Sequence, residues 1–81
     1  MSDTGLSFTA SAFKHGIDRE TIAGIIADPL FMKYHPSRTA MILYGFAADG
    51  KMVEVAYDFQ TRTAFHAMPV KPSKKGVNDG V

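Results

Sequence analysis

A carboxylate and an imidazole in the second half of the chain have the chemistry of an acid–base pair. Glu54 interrupts an apolar stretch, and His66 follows twelve residues later. Histidine is the residue type that titrates near neutral pH. We predict that a turn sets Asp58 opposite Arg62. The same register places Glu54 opposite His66. A shift of one residue removes both pairs and leaves Glu54 as a solvent-facing charge and His66 as a half-buried histidine.

Lys14 and His15 form a second candidate group, because they lie together at the predicted end of a short helix. The alternative is structural, since positive side chains are favoured at a helix carboxyl terminus whatever the function. We expect no metal site. His15, His35 and His66 are separated by twenty and thirty-one residues, which is not the spacing of metal ligands.

Two short helices are expected to precede the strands. The first spans residues 8–15 and stops at Gly16, a residue that readily adopts left-handed geometry. The second follows Asp18, a favourable N-cap, and ends near Ala27, because Pro29 excludes helical geometry from the residue before it. The apolar stripe of the second helix should face the core and consists of Ile22, Ile25 and Ile26.

Period-two patterning with aromatic and β-branched side chains predicts four strands in the rest of the chain. They cover residues 30–35, 39–46, 51–58 and 62–68. The Ala-Asp-Gly at 48–50 predicts a hairpin turn. Two helices packed on a four-stranded antiparallel meander form an α+β fold with one sheet and one helical layer.

The composition indicates one compact domain. The chain has 81 residues, of which 46% are hydrophobic and 21% are charged, and we assign its core to 8–72 and a flexible tail to 73–81. The absence of cysteine excludes disulfides, and a net charge of +1 does not by itself indicate a nucleic-acid binder. No apolar run approaches the roughly 18 residues that span a bilayer, and the start lacks the basic segment of a signal peptide. We expect a soluble, cytoplasmic protein that needs no cofactor.

Five segments, taken in their order along the chain, resemble the BrnT-like branch of the RelE/ParE toxin superfamily. They are Lys14-His15-Gly16-Ile17, the helix end Asp28-Pro29, Ile42-Leu43-Tyr44-Gly45-Phe46, Glu54-Val55, and Phe65-His66-Ala67-Met68-Pro69. The resemblance covers residues 8 to about 72. Members of this branch usually begin with a strand that carries an F-x-W-D-like segment, to which only Phe8 corresponds here.

The resemblance implies a ribonuclease toxin of a type II toxin–antitoxin pair that cleaves RNA without a metal. It maps Lys14 and His15 onto the family's basic pair, and it implies an antitoxin encoded by an adjacent gene. A homodimer or a toxin–antitoxin hetero-oligomer is compatible with so small a core. General acid–base catalysis would use Lys14, His15, Glu54 and His66.

Basic and aromatic side chains are candidates for binding the RNA. The residues expected to contact phosphates are Arg38, Arg62 and Lys71, although solvated surface charges are more common. Aromatic side chains that can stack on bases are Tyr34, Tyr44, Tyr57 and Phe65, although aromatic residues at strand spacing more often fill a core. The alternative function is a non-catalytic module that binds protein or nucleic acid, such as a degenerate toxin relative.

Overall fold

The computed structural model describes residues 5–36 and 39–70 and has an α+β fold. Its elements in chain order are β1 (Ser7–Phe8), a 3₁₀ helix (Ala10–Phe13), α1 (Arg19–Ala27), β2 (Phe31–Tyr34), β3 (Ala40–Phe46), β4 (Met52–Asp58) and β5 (Thr63–Pro69). Within these described residues, the strands form one sheet in the order β1-β5-β4-β3-β2, in which β1 pairs in parallel with β5 and the other pairs are antiparallel. The predicted α+β class is confirmed. The predicted four-stranded antiparallel sheet is wrong, because the sheet has five strands and is mixed.

Strands β2 to β5 form the predicted antiparallel meander, and each overlaps its predicted range. The turn between β3 and β4 lies at the predicted 48–50. Gly50 adopts a φ of +86° there, which is unfavourable for residues with a Cβ. The Asp49 carboxylate accepts a hydrogen bond of 3.0 Å from the backbone N–H of Lys51. This hairpin aligns the two central strands over their whole length.

The parallel strand β1 is missing from the sequence-based prediction. The backbone N–H of Ser7 donates to the carbonyl of Arg62 at 2.8 Å, and that of Thr9 donates to the carbonyl of Ala64 at 3.0 Å. Two residues are too few to produce a periodic pattern. Pairing with a strand more than fifty residues away, Ser7 beside Thr63, also leaves no local turn signal.

The predicted first helix is wrong in both type and length. Residues Ala10–Phe13 form a 3₁₀ helix, and Ser11 donates its hydroxyl hydrogen to the carbonyl of Phe65 at 2.7 Å. A serine side chain bonded to a backbone group favours such irregular turns over an α-helix. The predicted stop is confirmed, because Gly16 has a φ of +81° and redirects the chain toward α1.

Helix α1 begins and ends where the sequence predicts. The carboxylate of Asp18 accepts a hydrogen bond of 2.9 Å from the backbone N–H of Thr21 and thereby caps the helix. Hydrogen bonds from the side chain and the backbone of Thr21 hold the pKa of Asp18 below its ordinary value of 3.8. Ile22 and Ile25 are buried as expected. Across residues 5–36 and 39–70, no helix is long and apolar enough to cross a membrane.

The core lies between α1, the 3₁₀ helix and one face of the sheet. Its buried residues are Ala12, Ile22, Ile25, Leu43, Val53, Val55, Ala64 and Ala67. Helix α1 packs closely on β3 at Gly45, where a Cβ would lie 2.7 Å from Cγ1 of Ile25. We call this side the covered face. The open face is the opposite side, which carries Phe31, Lys33, Ile42, Tyr44, Glu54, Ala56, Phe65 and His66.

Candidate active site

A β-bulge in β5 brings two neighbouring side chains to the open face. Ala56 pairs with His66 and Tyr57 pairs with Ala64, so Phe65 is the extra residue on β5. A bulge interrupts the strict alternation of a strand and changes the direction of nearby side chains. Phe65 and His66 consequently line the same cleft. The sequence contains no glycine or proline that would have indicated a bulge at this position.

Glu54 and His66 are in contact, although not by the predicted register. Glu54 lies opposite Met68, two residues further along β5 than expected. One residue of this shift arises at the turn and one at the bulge. Because two is an even number, Glu54 and His66 remain on the same face. Their contact is diagonal, with His66 Nε2 3.5 Å from Glu54 Oε2, and their side chains remain 34% and 27% exposed.

The pair borders a shallow cleft of about 340 Å³ on the open face. The cleft is lined by three residues with imidazole or carboxylate groups and by apolar neighbours, namely His35, Ile42, Glu54, Ala56, Phe65 and His66. The ring of His35 meets the ring of Phe65 edge-on, with centroids 5.7 Å apart. The acid–base groups are therefore partly shielded by apolar walls and still open to a ligand.

His15 joins this group from the turn after the 3₁₀ helix. Its ring meets the ring of His66 edge-on, with centroids 5.7 Å apart and an interplanar angle of 75°. Lys14 is exposed beside it, and its backbone N–H donates to the carbonyl of Ser11. Neither Lys14 nor His15 lines the cleft, and His15 joins the Glu54–His66 pair through its contact with the His66 ring. The structure thus brings together His15, Glu54 and His66 and leaves Lys14 at the margin.

The predicted pairing of Asp58 with Arg62 is wrong, because Asp58 lies opposite Thr63. The Asp58 carboxylate instead accepts hydrogen bonds from the backbone of Gln60 and Thr61 and from the hydroxyl of Thr39. The backbone hydrogen bond from Thr61 is the main reason why the pKa of Asp58 lies below its ordinary 3.8. An aspartate that bonds the backbone two and three residues ahead stabilises the turn itself.

Arg62 lies in the turn before β5 and has a φ of +56°. Its Nε donates to the carbonyl of Gly5 at 3.2 Å. The guanidinium therefore holds the amino-terminal segment and is not brought to the cleft. The other two predicted phosphate contacts, Arg38 and Lys71, lie outside the described residues, as does the predicted tail 73–81.

The predicted aromatic residues divide between the core and the surface. Tyr44 is 7% exposed and Tyr57 packs against the core, whereas Tyr34 on β2 is 84% exposed. Phe65 lines the cleft. Sequence reasoning missed Phe31, which stacks on Tyr44 on the open face. The sequence contained a signal for it, because Phe31 and Lys33 are two residues apart and therefore lie on the same side of β2.

The geometry suits proton transfer better than metal binding. A carboxylate against one imidazole nitrogen can orient the ring and stabilise its protonated form. A second imidazole, that of His15, contacts the His66 ring. In the part of the chain that the structure describes, no three histidine, aspartate or glutamate side chains are grouped in a way that would hold a metal ion.

Comparisons of this chain with family models, with curated proteins and with solved structures give no match.

Proposed function

We propose that this chain is a ribonuclease toxin of a type II toxin–antitoxin pair, of the BrnT-like branch, that cleaves RNA without a metal. The observation that carries the proposal is the contact of Glu54 with His66 in an open cleft, with His15 against the same imidazole. Strand β1 gives further support, since Phe8 lies on it and the family begins with such a strand.

In the proposed reaction, His66 takes the proton of an RNA 2′-hydroxyl, and the 2′-oxygen forms a bond to phosphorus. The bond from phosphorus to the 5′-oxygen breaks, and protonated His15 gives its proton to that oxygen. The products are a 2′,3′-cyclic phosphate and a free 5′-hydroxyl. Base and acid must lie on different sides of the phosphorus. Because the rings of His15 and His66 meet edge-on, the exposed His15 side chain has to rotate away from His66 when RNA binds. Glu54, in contact with His66, positions the His66 ring.

Lys14 has a different task in this scheme. Its ammonium group is next to His15 in sequence and exposed. A cation there neutralises charge that gathers on the phosphate oxygens in the transition state. It can do so from the margin of the cleft, because a lysine side chain is long and flexible.

Cleavage of a labelled RNA by the purified protein in the presence of a metal chelator tests this proposal. Replacing His15, Glu54 or His66 with Ala should reduce the cleavage rate at least about a hundredfold, the scale of one general acid–base contribution. Replacing Lys14 with Ala should also reduce the cleavage rate, because its ammonium group neutralises charge on the phosphate oxygens in the transition state. Products should carry a cyclic phosphate.

The chain offers a matched control for the glutamate. It has two glutamates, and Glu20 lies in the first turn of α1, away from the cleft. Glu20→Gln should leave cleavage unchanged, whereas Glu54→Gln should reduce it. A folded triple variant of His15, Glu54 and His66 that still cleaves RNA at the normal rate would reject the assignment.

The proposal includes an antitoxin as the protein partner. An active ribonuclease has to be held inactive during growth, and a protein that covers the cleft would exclude RNA. Co-expression with the product of the adjacent gene, followed by purification of the complex, tests this. Abundant expression of the chain alone, without harm to the cells and without a bound neighbour-encoded protein, would reject the partner and the toxin.

The alternative is a non-catalytic binding module on the same fold. It is favoured by the edge strand β2, where all four side chains from Phe31 to Tyr34 are exposed. It is also compatible with the low net charge of +1. Retention of a protein or nucleic-acid ligand without any RNA cleavage would support this alternative.

A further inference from the structure

A stacked pair of aromatic rings lies on the open face, in line with the catalytic group. Phe31 is opposite Tyr44, and Tyr44 is opposite Glu54. The rings of Phe31 and Tyr44 are nearly parallel, with centroids 4.5 Å apart and an interplanar angle of 15°. Two inter-strand spacings, or about 10 Å, separate Phe31 from Glu54 along this row.

The two rings differ in exposure. Tyr44 is 7% exposed and serves as the support, whereas Phe31 is 51% exposed. Exposure of an aromatic ring to water is unfavourable, and a rigid support beneath it adds to the preorganisation of the surface for a flat ligand. A planar group can therefore extend the existing stack at Phe31.

A cation accompanies the stack. The ammonium group of Lys33 lies 5.7 Å from the centroid of the Tyr44 ring, within the range of a cation–π contact. Lys33 is exposed, and it follows Phe31 on the same side of β2. A flat apolar surface and a positive charge thus lie side by side.

We propose that Phe31 and Lys33 form a subsite for single-stranded RNA, in which one unpaired base stacks on Phe31 and Lys33 contacts an adjacent phosphate. The inference rests on the proposed function and extends it, since it specifies an unpaired substrate strand that crosses the open face from β4 to β2. Base–aromatic stacking next to basic side chains is the usual means of binding single strands without sequence preference.

The combination on this face favours RNA over a protein as the occupant. A protein strand added to the edge of β2 would bind through main-chain hydrogen bonds, whereas an aromatic stack beside a cation matches a base and its phosphate. The open face is also the one that carries the cleft with Glu54 and His66. A short RNA strand can reach both places at once.

A tryptophan reporter tests the subsite directly. The chain has no tryptophan, so Phe31→Trp introduces a single indole at the proposed stack. Met32→Trp is the matched control, because Met32 is 53% exposed on the adjacent position and points to the other face. Both variants also carry His66→Ala, which prevents cleavage, and both are titrated with a ten-nucleotide RNA of mixed sequence and with the corresponding duplex.

The single strand should quench the fluorescence of Phe31→Trp and leave that of Met32→Trp nearly unchanged, and the duplex should have a much smaller effect. Phe31→Ala should weaken binding of the single strand about fivefold to a hundredfold, the range expected for one lost base stack. Equal quenching in both reporter variants, or none in Phe31→Trp, would overturn the subsite. So would a Phe31→Ala variant that binds RNA normally but no longer retains the antitoxin.

Lys33 is tested by the salt dependence of binding. Lys33→Gln should lower the slope of log affinity against log salt concentration by about 0.7, the value for one phosphate contact with a single strand. Lys51→Gln, in the exposed turn between β3 and β4, is the control. An unchanged slope in Lys33→Gln would reject the phosphate contact.

Failure of this inference can be distinguished from failure of the proposed function. Quenching at position 31 without cleavage by the unmodified chain would support the subsite and reject the ribonuclease. Cleavage without quenching would support the ribonuclease and reject the subsite.

Discussion

The covered face and the open face are built from the same strands and differ in the side chains that alternate along them. On β4, Val53 and Val55 are 1% and 0% exposed under α1. Glu54 lies between them, faces the other way and contacts His66. A residue that would be costly to bury is thus accommodated one position from two of the most buried side chains, because successive side chains of a strand point to opposite faces.

The covered face therefore contributes to stability, and the open face carries the residues of the proposed chemistry. Aliphatic side chains of the covered face contribute the free energy of burial. Glu54 and His66 on the open face keep contact with water, so these polar groups remain there without a large desolvation cost. Variants on one face should therefore change stability and leave ligand contacts alone, and variants on the other face should do the reverse.

The largest effect on stability is expected at Ile22, which is 0% exposed on the covered side. Ile22→Ala should lower the free energy of unfolding by about 2–5 kcal/mol, because it removes buried methylene groups and leaves a cavity. Leu30→Ala is the control, since Leu30 is 56% exposed, and it should change stability by no more than about 0.5 kcal/mol. Urea unfolding measures both, and equal losses would show that α1 does not face the core.

A smaller loss is expected where α1 crosses β3. Gly45→Ala places a Cβ 2.7 Å from Cγ1 of Ile25, so the helix or the isoleucine must move, at a cost of about 1–3 kcal/mol. Gly24→Ala is the control on the helix itself, where the added Cβ has no atom within 4 Å apart from its chain neighbours and the nearby helix backbone. It should raise stability by up to about 1 kcal/mol. A gain in stability in thermal melts of Gly45→Ala would contradict this close packing.

The smallest effect concerns two aspartates that stabilise turns. Hydrogen bonds from Thr21 lower the pKa of Asp18 from its ordinary 3.8. The backbone hydrogen bond from Thr61 is the main cause that lowers the pKa of Asp58, also from 3.8. A lowered pKa in the folded state stabilises the fold at pH values above 3.8, and this contribution is lost as the pH falls through the lower folded-state values.

The unfolding free energy should therefore decline in acid, and Asp18→Asn together with Asp58→Asn should make that decline shallower. Denaturant titrations from neutral pH to about pH 2, where carboxylates with lowered pKa values become protonated, measure the slope. If the unfolding free energy of the double variant declines in acid as steeply as that of the unmodified chain, other carboxylates cause the decline.

Local signals made α1 and the meander predictable. Asp18 before an apolar stripe and Pro29 after it mark the ends of the helix, and the turn at 48–50 fixes the alignment of β3 with β4. These signals lie within a few residues of the structure they specify. The open face could also be inferred, since period-two patterning assigns Glu54 and Ala56 to the same side.

Long-range and irregular features were not predictable in the same way. Strand β1 has only two residues and pairs with a distant strand. The bulge at Phe65 has no local marker, yet it completes the two-residue shift that leaves Glu54 diagonal to His66. The aromatic contact between Phe31 and Tyr44 depends on the pairing of β2 with β3. In each case the pairing of one strand with another determines where the side chains lie, and the residue pattern of a single strand does not specify that pairing.

We propose that the open face performs the chemistry while the covered face holds the fold. The most direct test measures RNA cleavage and urea unfolding in parallel for His66→Ala and for Val55→Ala, whose residues lie on opposite faces of adjacent strands. We predict that His66→Ala loses cleavage at least about a hundredfold and keeps its unfolding free energy within about 0.5 kcal/mol. Val55→Ala should lose stability and, while folded, still cleave RNA. Normal cleavage by folded His66→Ala would contradict the account.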